Sequence, residues 1–324
     1  MLPGFPAPLP AANVDIIGKL FKTSLYTGNG SGQVITTGID NASGSLIWLK
    51  LRDYVSTPHF LVDTVRGKDK FFTLPETDAE TTGNTNTVTD ISSTGFSVGN
   101  NGNVNTSGFH PVAWSFLKAP RFFDIVTYNG DGAGNRVLSH NLGVKPGLFI
   151  WRVRNLASNT LVYHQAQGAG KVASLIASDA FGASSHWPVE PTSSVLTMAS
   201  ALNGSGYQGI VYAFADDTSA DGVIRCGSYT GNGSAAGPTV ALGWEPQWLM
   251  VKRADGVGDW QIHDAARSPS NPRQLILRPS TRDSEASGFS VDFTSAGFQI
   301  KNDAPQYNAS GGTYVYVAIR KAAP

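Results

Sequence analysis

Cysteine is almost absent from this chain: Cys226 is the single one among 324 residues. No disulfide can therefore form within the chain, a cysteine-based zinc site is excluded, and folding in a reducing compartment is expected. Charged residues are also scarce, at 15%, and 24 Lys and Arg residues balance 24 Asp and Glu residues. Because there is no basic excess, nucleic-acid binding is not expected. No apolar run approaches the ~18 residues that a membrane-spanning helix requires, so membrane insertion is not expected either.

The N-terminus is rich in proline, with four prolines in the first ten residues. Proline fixes φ and removes a backbone donor, so residues 1–21 are predicted to form an extended arm, with one or two helical turns between Val14 and Phe21. Apolar residues between the prolines favour an arm that docks on a neighbouring protein; packing on its own domain and disorder are the alternatives. The predicted docking residues are Leu2, Pro3, Phe5, Pro6, Pro8, Leu9 and Pro10.

The rest of the chain repeats itself about every 100 residues. A Tyr-x-Gly-x-Gly turn begins at Tyr26, at Tyr128 and at Tyr229. Each turn is followed by an apolar strand that ends in basic residues, and each repeat closes with a second apolar strand. The strands that end in basic residues are Leu46–Arg52, Leu148–Arg154 and Trp248–Arg253, and the closing strands are Pro111–Phe116, Gly209–Phe214 and Thr313–Ile319.

These patterns predict an all-β fold. The runs between turns are short and rich in β-branched and aromatic residues, and the turns contain Gly and Asn, which tolerate positive φ. Short strands with regular turn signals are typical of antiparallel sandwiches. We therefore expect three tandem antiparallel β-sandwich units, jelly-roll-like in character, at residues 22–120, 121–219 and 220–324, behind the arm at 1–21.

No motif for catalysis or metal binding is complete. The six histidines lack metal-ligand spacing, and the loop from Asn129 to Asn135 is predicted to be a hairpin turn. Gly95–Gly99 has the letters of a nucleophile elbow, but a turn follows it where a helix is required, which favours a strand. Glu76, Asp78 and Glu80 lie in a polar stretch that indicates a solvated loop. No catalytic residue, cofactor site or metal site is therefore predicted.

His164 and His263 occupy matching places in the second and third repeats, where the first has Asp63. A position that holds Asp in one repeat and His in the others is typical of a hydrogen-bond site at a strand end. Catalysis is the less favoured alternative.

Tryptophans are the better candidates for binding. Most should lie in the core, but a ring at a loop tip can stack on a sugar or anchor a protein contact. The candidate surface-binding residues are Trp187, Trp244 and Trp260.

Several of these segments together resemble a tandem-repeat domain of tailed-bacteriophage structural proteins. The matching segments are Trp48–Arg52, Asp63–Gly67, Thr94–Gly99 and Val112–Trp114 in the first repeat, Phe123–Tyr128, His140–Gly143, Val162–His164 and Pro191–Val195 in the second, and Gly288–Phe289 and Gly297–Phe298 in the third. The resemblance implies a jelly-roll sandwich similar to concanavalin-like and laminin-G-like domains. It also implies a place in the virion or its tail.

The resulting expectation is a virion structural protein without enzymatic activity, assembled in the cytoplasm of the bacterial host. Its favoured role is a tail-fibre or tail-tip component that binds the host surface, through either a polysaccharide or an outer-membrane protein. The arm would hold other virion proteins, and a homo-oligomer is expected. The alternatives are a capsid decoration (cement) protein and a tail-spike enzyme that degrades polysaccharide.

Overall fold

Short runs of β-branched and aromatic residues form strands throughout residues 14–322, the part of the chain that the computed structural model describes. Within it there are 23 β-strands in antiparallel ladders and three α-helices of four to seven residues. The all-β prediction is confirmed. The helical turns predicted between Val14 and Phe21 are helix α1, Val14–Leu20. The predicted docking arm, Leu2 to Pro10, lies outside the described residues.

Strand pairing divides the described chain into three segments, residues 21–117, 123–215 and 224–320, and each segment holds a larger and a smaller sheet. The first segment consists of β1 (Phe21–Leu25), β2 (Gln33–Thr36), β3 (Ser45–Leu51), β4 (His59–Asp63), β5 (Phe71–Leu74), β6 (Val88–Ser92), β7 (Gly95–Val98), α2 (Gly102–Asn105) and β8 (Pro111–Leu117). Its sheets have the orders β1-β8-β3-β4-β5 and β2-β7-β6.

The second and third segments follow the same plan. The second consists of β9 (Phe123–Asn129), β10 (Arg136–Ser139), β11 (Pro146–Val153), β12 (Leu161–His164), β13 (Lys171–Ser174), β14 (Gly182–Ala183), β15 (Val195–Met198) and β16 (Gln208–Ala215), with orders β14-β13-β12-β11-β16-β9 and β10-β15. The third consists of β17 (Ile224–Thr230), β18 (Thr239–Ala241), β19 (Pro246–Arg253), β20 (Gln261–Asp264), β21 (Val291–Thr294), β22 (Gly297–Ile300), α3 (Pro305–Asn308) and β23 (Thr313–Arg320), with orders β17-β23-β19-β20 and β18-β22-β21.

The large sheet of the first segment is buried on both faces, because successive side chains along a strand point to opposite sides. Ile47 and Leu49 of β3 pack toward the small sheet of their own segment. Trp48, between them, belongs to a core shared by all three segments. In that core, Phe116 meets Phe214 of the second segment at 5.4 Å and Trp248 of the third at 5.7 Å between ring centroids. The three large sheets therefore enclose one common apolar core.

The repeated turn is held by a Tyr, a Gly and an Asn. In the second segment the Tyr128 hydroxyl donates to the Leu202 carbonyl, and buried Asn203 donates to the Ala133 carbonyl at 2.9 Å. A Cβ on Gly130 would lie 2.0 Å from the Gly204 carbonyl oxygen, so only glycine fits. The equivalent hydroxyl bonds are Tyr26 to Val104 and Tyr229 to Tyr307, the equivalent glycines are Gly28 and Gly231, and the equivalent asparagines are Asn105 and Asn308.

Three buried cations join the segments in a closed cycle. Lys50 of the first segment donates to the carbonyl of Arg282 in the third at 3.3 Å. Arg152 of the second donates to the carbonyl of Thr73 in the first at 3.2 Å. Lys252 of the third completes the cycle by donating to the Ser178 carbonyl of the second at 3.0 Å. The three side chains occupy matching strand positions opposite β8, β16 and β23 and are at most 2% exposed.

Asp63, His164 and Asp264, each at the end of a strand, join the same three segments through further hydrogen bonds. Tyr212 of the second segment donates to Asp63 of the first at 2.8 Å, and Trp114 of the first donates to Asp264 of the third at 3.0 Å. His164 of the second lies 3.1 Å, through Nε2, from the Tyr316 carbonyl of the third. Burial lowers the pKa of His164 to about 4, so its imidazole is neutral at pH 7 and Nε2–H is the donor.

The register corrects one expected equivalence. Asp63, His164 and Asp264 pair with Leu46, Leu148 and Trp248, which are themselves equivalent. His263 therefore lies one position earlier than His164, and its Nε2 is 2.6 Å from the Tyr307 hydroxyl. The alignment of His164 with His263 was wrong because their flanking sequences alone do not show a shift of one residue.

We expect Gly130→Ala to destabilise the protein, because the added methyl group collides with backbone in a turn that cannot move away. The loss in the free energy of unfolding should be about 1–3 kcal/mol. Gly134→Ala is the matched control, because no atom lies within 4 Å of the position of its Cβ. Urea titrations of the two variants measure the difference. Equal midpoints would show that the close approach is not needed.

We expect Asp63→Asn to cost about 3–5 kcal/mol, because it removes the nearer of the two carboxylates that pair with the fully buried Arg66 guanidinium and leaves only Glu80 at 3.4 Å. The control is Asp90→Asn, which removes a pair with Lys68 that is more than half exposed and should change stability by less than about 1 kcal/mol. Urea unfolding followed by tryptophan fluorescence compares the two variants. Similar small losses in both would contradict a stabilising role for the buried pair.

Stability should rise with pH above about 8. Burial lowers the pKa of Lys50 and of Lys252 from 10.5 to about 8. Between these two values the unfolded chain binds more protons than the folded one, so the free energy of unfolding rises with pH. This contribution is complete above the unfolded pKa and is lost as pH falls through about 8. From about pH 8 to 9.5 we expect a gain on the order of 1 kcal/mol per lysine.

The control is the double variant Lys50→Met/Lys252→Met, measured by urea unfolding over the same pH range. Tyrosines titrate equally in both proteins, so the difference in slope isolates the two lysines. Identical slopes would contradict the assignment.

Candidate interaction surfaces

The strands of each large sheet run between two distinct ends. Phe21 pairs with Phe116 at one end of the first sheet, and Leu25 pairs with Val112 near the other. Helix α1 leads into Phe21, and the connections at residues 118–122 and 216–223 join the segments at the same end, which we call the linker end. A cavity of about 160 Å³ lies there, lined in part by Ile16 and Leu20 of α1. The loops β3–β4, β11–β12 and β19–β20 lie at the opposite end, the hairpin end.

The hairpin end carries exposed apolar side chains in all three segments. Tyr54 and Val55 are 52% and 62% exposed, Leu156 is 48% exposed and Val257 is 68% exposed. The loops share one local structure, in which an Asp or Asn side chain accepts a backbone N–H from the neighbouring closing strand. The three acceptors and donors are Asp53 and His110, Asn155 and Gln208, and Asp255 and Thr313.

One cavity opens beside the hairpin loop of the second segment, with a volume of about 270 Å³; we call it the second-segment cavity. Its lining includes Trp151, Leu156, Asn159, His186 and Tyr207. No Asp, Glu, Lys or Arg contributes to this lining, all of which lies in the described chain. Burial lowers the pKa of His186, so its imidazole is neutral at pH 7. The cavity therefore offers an uncharged, partly aromatic surface.

A second cavity of about 310 Å³ lies between the first segment and Arg282 of the third. Glu76 and Asp78 line it together with Phe60 and Phe71. The Arg282 guanidinium is hydrogen-bonded to Oε1 of Glu76, while Oε2 is buried without a protein partner. This cavity is charged, unlike the second-segment cavity.

The carboxylates expected in a solvated loop are not all solvated. The side chain of Glu80 is only 7% exposed and forms ion pairs with Arg66 at 3.4 Å and with Arg154 of the second segment at 2.9 Å. Its side chain thus belongs to the contact between segments. The solvated-loop prediction is wrong for Glu80 because its partner Arg154 lies 74 residues away in sequence.

The three candidate binding tryptophans are buried. Trp187 and Trp260 are 1% exposed, and Trp244 is 6% exposed. Trp187 packs edge-on against Phe149 at 4.5 Å, and the Trp260 indole N–H donates to the Ser174 carbonyl at 2.8 Å. The prediction that they lie at the surface is wrong: polar and turn-forming neighbours in sequence do not prevent a large ring from being buried in the fold.

Other motifs stand as follows. Gly95–Val98 is strand β7, paired with β2 and β6, so the strand prediction there is confirmed. Asp131 caps its own turn by accepting the Ala133 backbone N–H at 2.9 Å. Across residues 14–322, no group of three or more His, Cys, Asp or Glu side chains is placed to hold a metal ion. The same range contains no helix long and apolar enough to cross a bilayer.

Sequence reasoning missed the residues that join the segments and those that line the second-segment cavity. One signal was present: Lys50, Arg152 and Lys252 interrupt apolar strands at matching positions. A cation inside a buried strand needs oxygen partners, which these residues find on a neighbouring segment. No comparable signal identified Trp151 and Tyr207, because the cavity brings residues 151–161 together with His186 and residues 201–207, which lie further along the chain.

Comparison with known proteins gives a family without an assigned function. A family model described as a domain of unknown function, DUF7483, matches residues 17–323. No curated protein matches the chain. Because the family model covers nearly the whole sequence, the chain belongs to the DUF7483 family.

Proposed function

We propose that this protein is a structural component of a tailed-bacteriophage virion that acts at the tail tip or fibre by binding the host surface. The resemblance of its repeats to phage structural proteins supports the virion location. In this proposal the three segments are jelly-roll-like sandwich units at residues 22–120, 121–219 and 220–324. The protein works without catalysis.

The observation that carries the proposal is the closed cycle of buried contacts together with its two unlike ends. Three segments held by Lys50, Arg152 and Lys252 make a rigid body. Residues 1–13 precede α1 at the linker end, and exposed apolar loops lie at the hairpin end. In such a body the linker end can attach to another virion protein, while the hairpin end exposes its apolar loops to the host surface.

The proline-rich arm, residues 1–21, would hold a partner protein of the virion at the linker end. Self-association would add avidity, because virion components occupy symmetric positions and repeated weak contacts reinforce one another. The hairpin end would contact a host polysaccharide or an outer-membrane protein. The neutral net charge is compatible with either and disfavours nucleic acid.

Immunogold labelling tests this proposal. Antibody raised against residues 22–324 is applied to intact virions of the phage that encodes the chain. Gold at the distal tail is expected, and purified protein should then block adsorption of the phage to its host. As a control for catalysis, the purified protein should release no reducing sugar from host capsule.

The remaining outcomes would overturn the proposal in different ways. Gold over the head would replace the tail role with the capsid-decoration alternative. Release of reducing sugar would favour the tail-spike enzyme and direct attention to the cavity that holds Glu76 and Asp78. Absence of label on every particle would remove the virion location itself.

A further inference from the structure

The second-segment cavity lies beside Leu202, at a position where the third segment has a large aromatic side chain. Val104, Leu202 and Tyr307 are equivalent, because each accepts the hydroxyl of the repeat tyrosine through its carbonyl. In the third segment Tyr307 is fully buried and stacks on Phe289 at 5.3 Å. Leu202 lacks that ring, and a 3₁₀ turn, Ser200–Leu202, stands where the other segments have a short α-helix. The second-segment cavity opens beside Leu202.

Trp151 forms a fixed wall of this space. It takes the strand position of Leu49 in the first segment and Val251 in the third. Its indole N–H donates to the Tyr128 hydroxyl at 2.7 Å, which holds the orientation of the ring. Half-buried Tyr207 lines the same cavity, with its ring against Gly204. Phe109 and Gly312 take the position of Tyr207 in the first and third segments, so of the three segments the second combines an aromatic residue at that position with a tryptophan on the strand.

The polar groups of the cavity are neutral. Asn159 is exposed and offers both amide donors and a carbonyl acceptor. His186 is held through Nδ1 by the Ser184 hydroxyl and is uncharged at pH 7. A charged ligand would find no counterion in this lining, and a purely apolar ligand would leave the amide and imidazole unsatisfied.

We propose that the second-segment cavity binds a neutral saccharide unit. A sugar presents C–H faces to aromatic side chains and hydroxyls to neutral donors and acceptors, and the lining offers both, with Trp151 and Tyr207 as the aromatic residues and Asn159 and His186 as the polar ones. The cavity also lies at the hairpin end, opposite the linker end where helix α1 lies. This inference rests on the proposed function and specifies the host ligand as a polysaccharide.

Saturation-transfer difference NMR on the full-length protein tests the proposal. The probes are methyl α-glucoside, methyl α-mannoside, methyl β-galactoside and N-acetylglucosamine, with glucuronate as the charged comparison. Wild-type protein should bind at least one neutral probe and bind glucuronate more weakly. Ala201→Trp fills the cavity from an exposed lining position and should weaken binding by at least about tenfold. Asn159→Ala, also exposed, should weaken binding without altering the fold.

The matched control is Asn103→Trp, which adds the same ring at the equivalent exposed position of the first segment, beside the charged cavity. It should leave binding unchanged. The inference is overturned if wild-type protein binds no neutral probe, if Ala201→Trp binds as well as wild type, or if Asn103→Trp is the variant that loses binding.

The adsorption assay separates this inference from the proposed function. Wild-type protein that blocks adsorption, together with unimpaired sugar binding by Ala201→Trp, would reject the cavity and support host contact. Cavity-dependent sugar binding by a protein that does not block adsorption would support the saccharide site and reject the tail role.

Discussion

Three buried cations that donate to backbone carbonyls of a neighbouring segment hold this molecule together. Lys50, Arg152 and Lys252 each extend from an apolar strand and reach a backbone carbonyl of another segment in the cycle. Each also has an oxygen partner in its own segment, on Thr57, Thr160 and Gly258 respectively, so separating the segments would remove part of the hydrogen bonding of every buried cation. The contacts therefore couple the stability of every segment to that of the other two.

The three contacts between segments share backbone geometry but differ in chemistry. The N–H of Glu80 and the N–H of Glu285 donate to the carbonyls of Arg154 and Arg52, and the side chains form ion pairs. At the third contact, between the second and third segments, the N–H of Phe181 donates to the carbonyl of Ala254. There Phe181 packs on Trp260 at 6.2 Å instead of forming an ion pair. The same backbone hydrogen bond is therefore compatible with either an ion pair or an aromatic contact between the side chains.

The same tolerance explains how one segment can acquire a site that the others lack. The Tyr, Gly and Asn of the repeated turn hold the backbone in place, so the residue directly before the Asn can differ in size without loss of the turn. Tyr307 fills the space in the third segment, whereas Leu202 leaves room beside Trp151 in the second. The lining of the second-segment cavity thus depends on the combination of Leu202 with Trp151, because the first segment has the smaller pair Val104 and Leu49 at these positions.

The sequence by itself determined the features that depend on near neighbours. The all-β character, the helical turns before Phe21, the strand at Gly95–Val98 and the Gly-containing repeated turn are set by local propensity. Tertiary structure alone decided that Glu80 forms an ion pair between segments and that Trp187 is buried. It also decided that His263 lies one position before the equivalent of His164. The partners of these residues are distant in sequence: Glu80 and Arg154 are 74 residues apart, and His263 and Tyr307 are 44 residues apart. Burial and pairing across such separations depend on how the sheets pack, which periodicity within one segment does not contain.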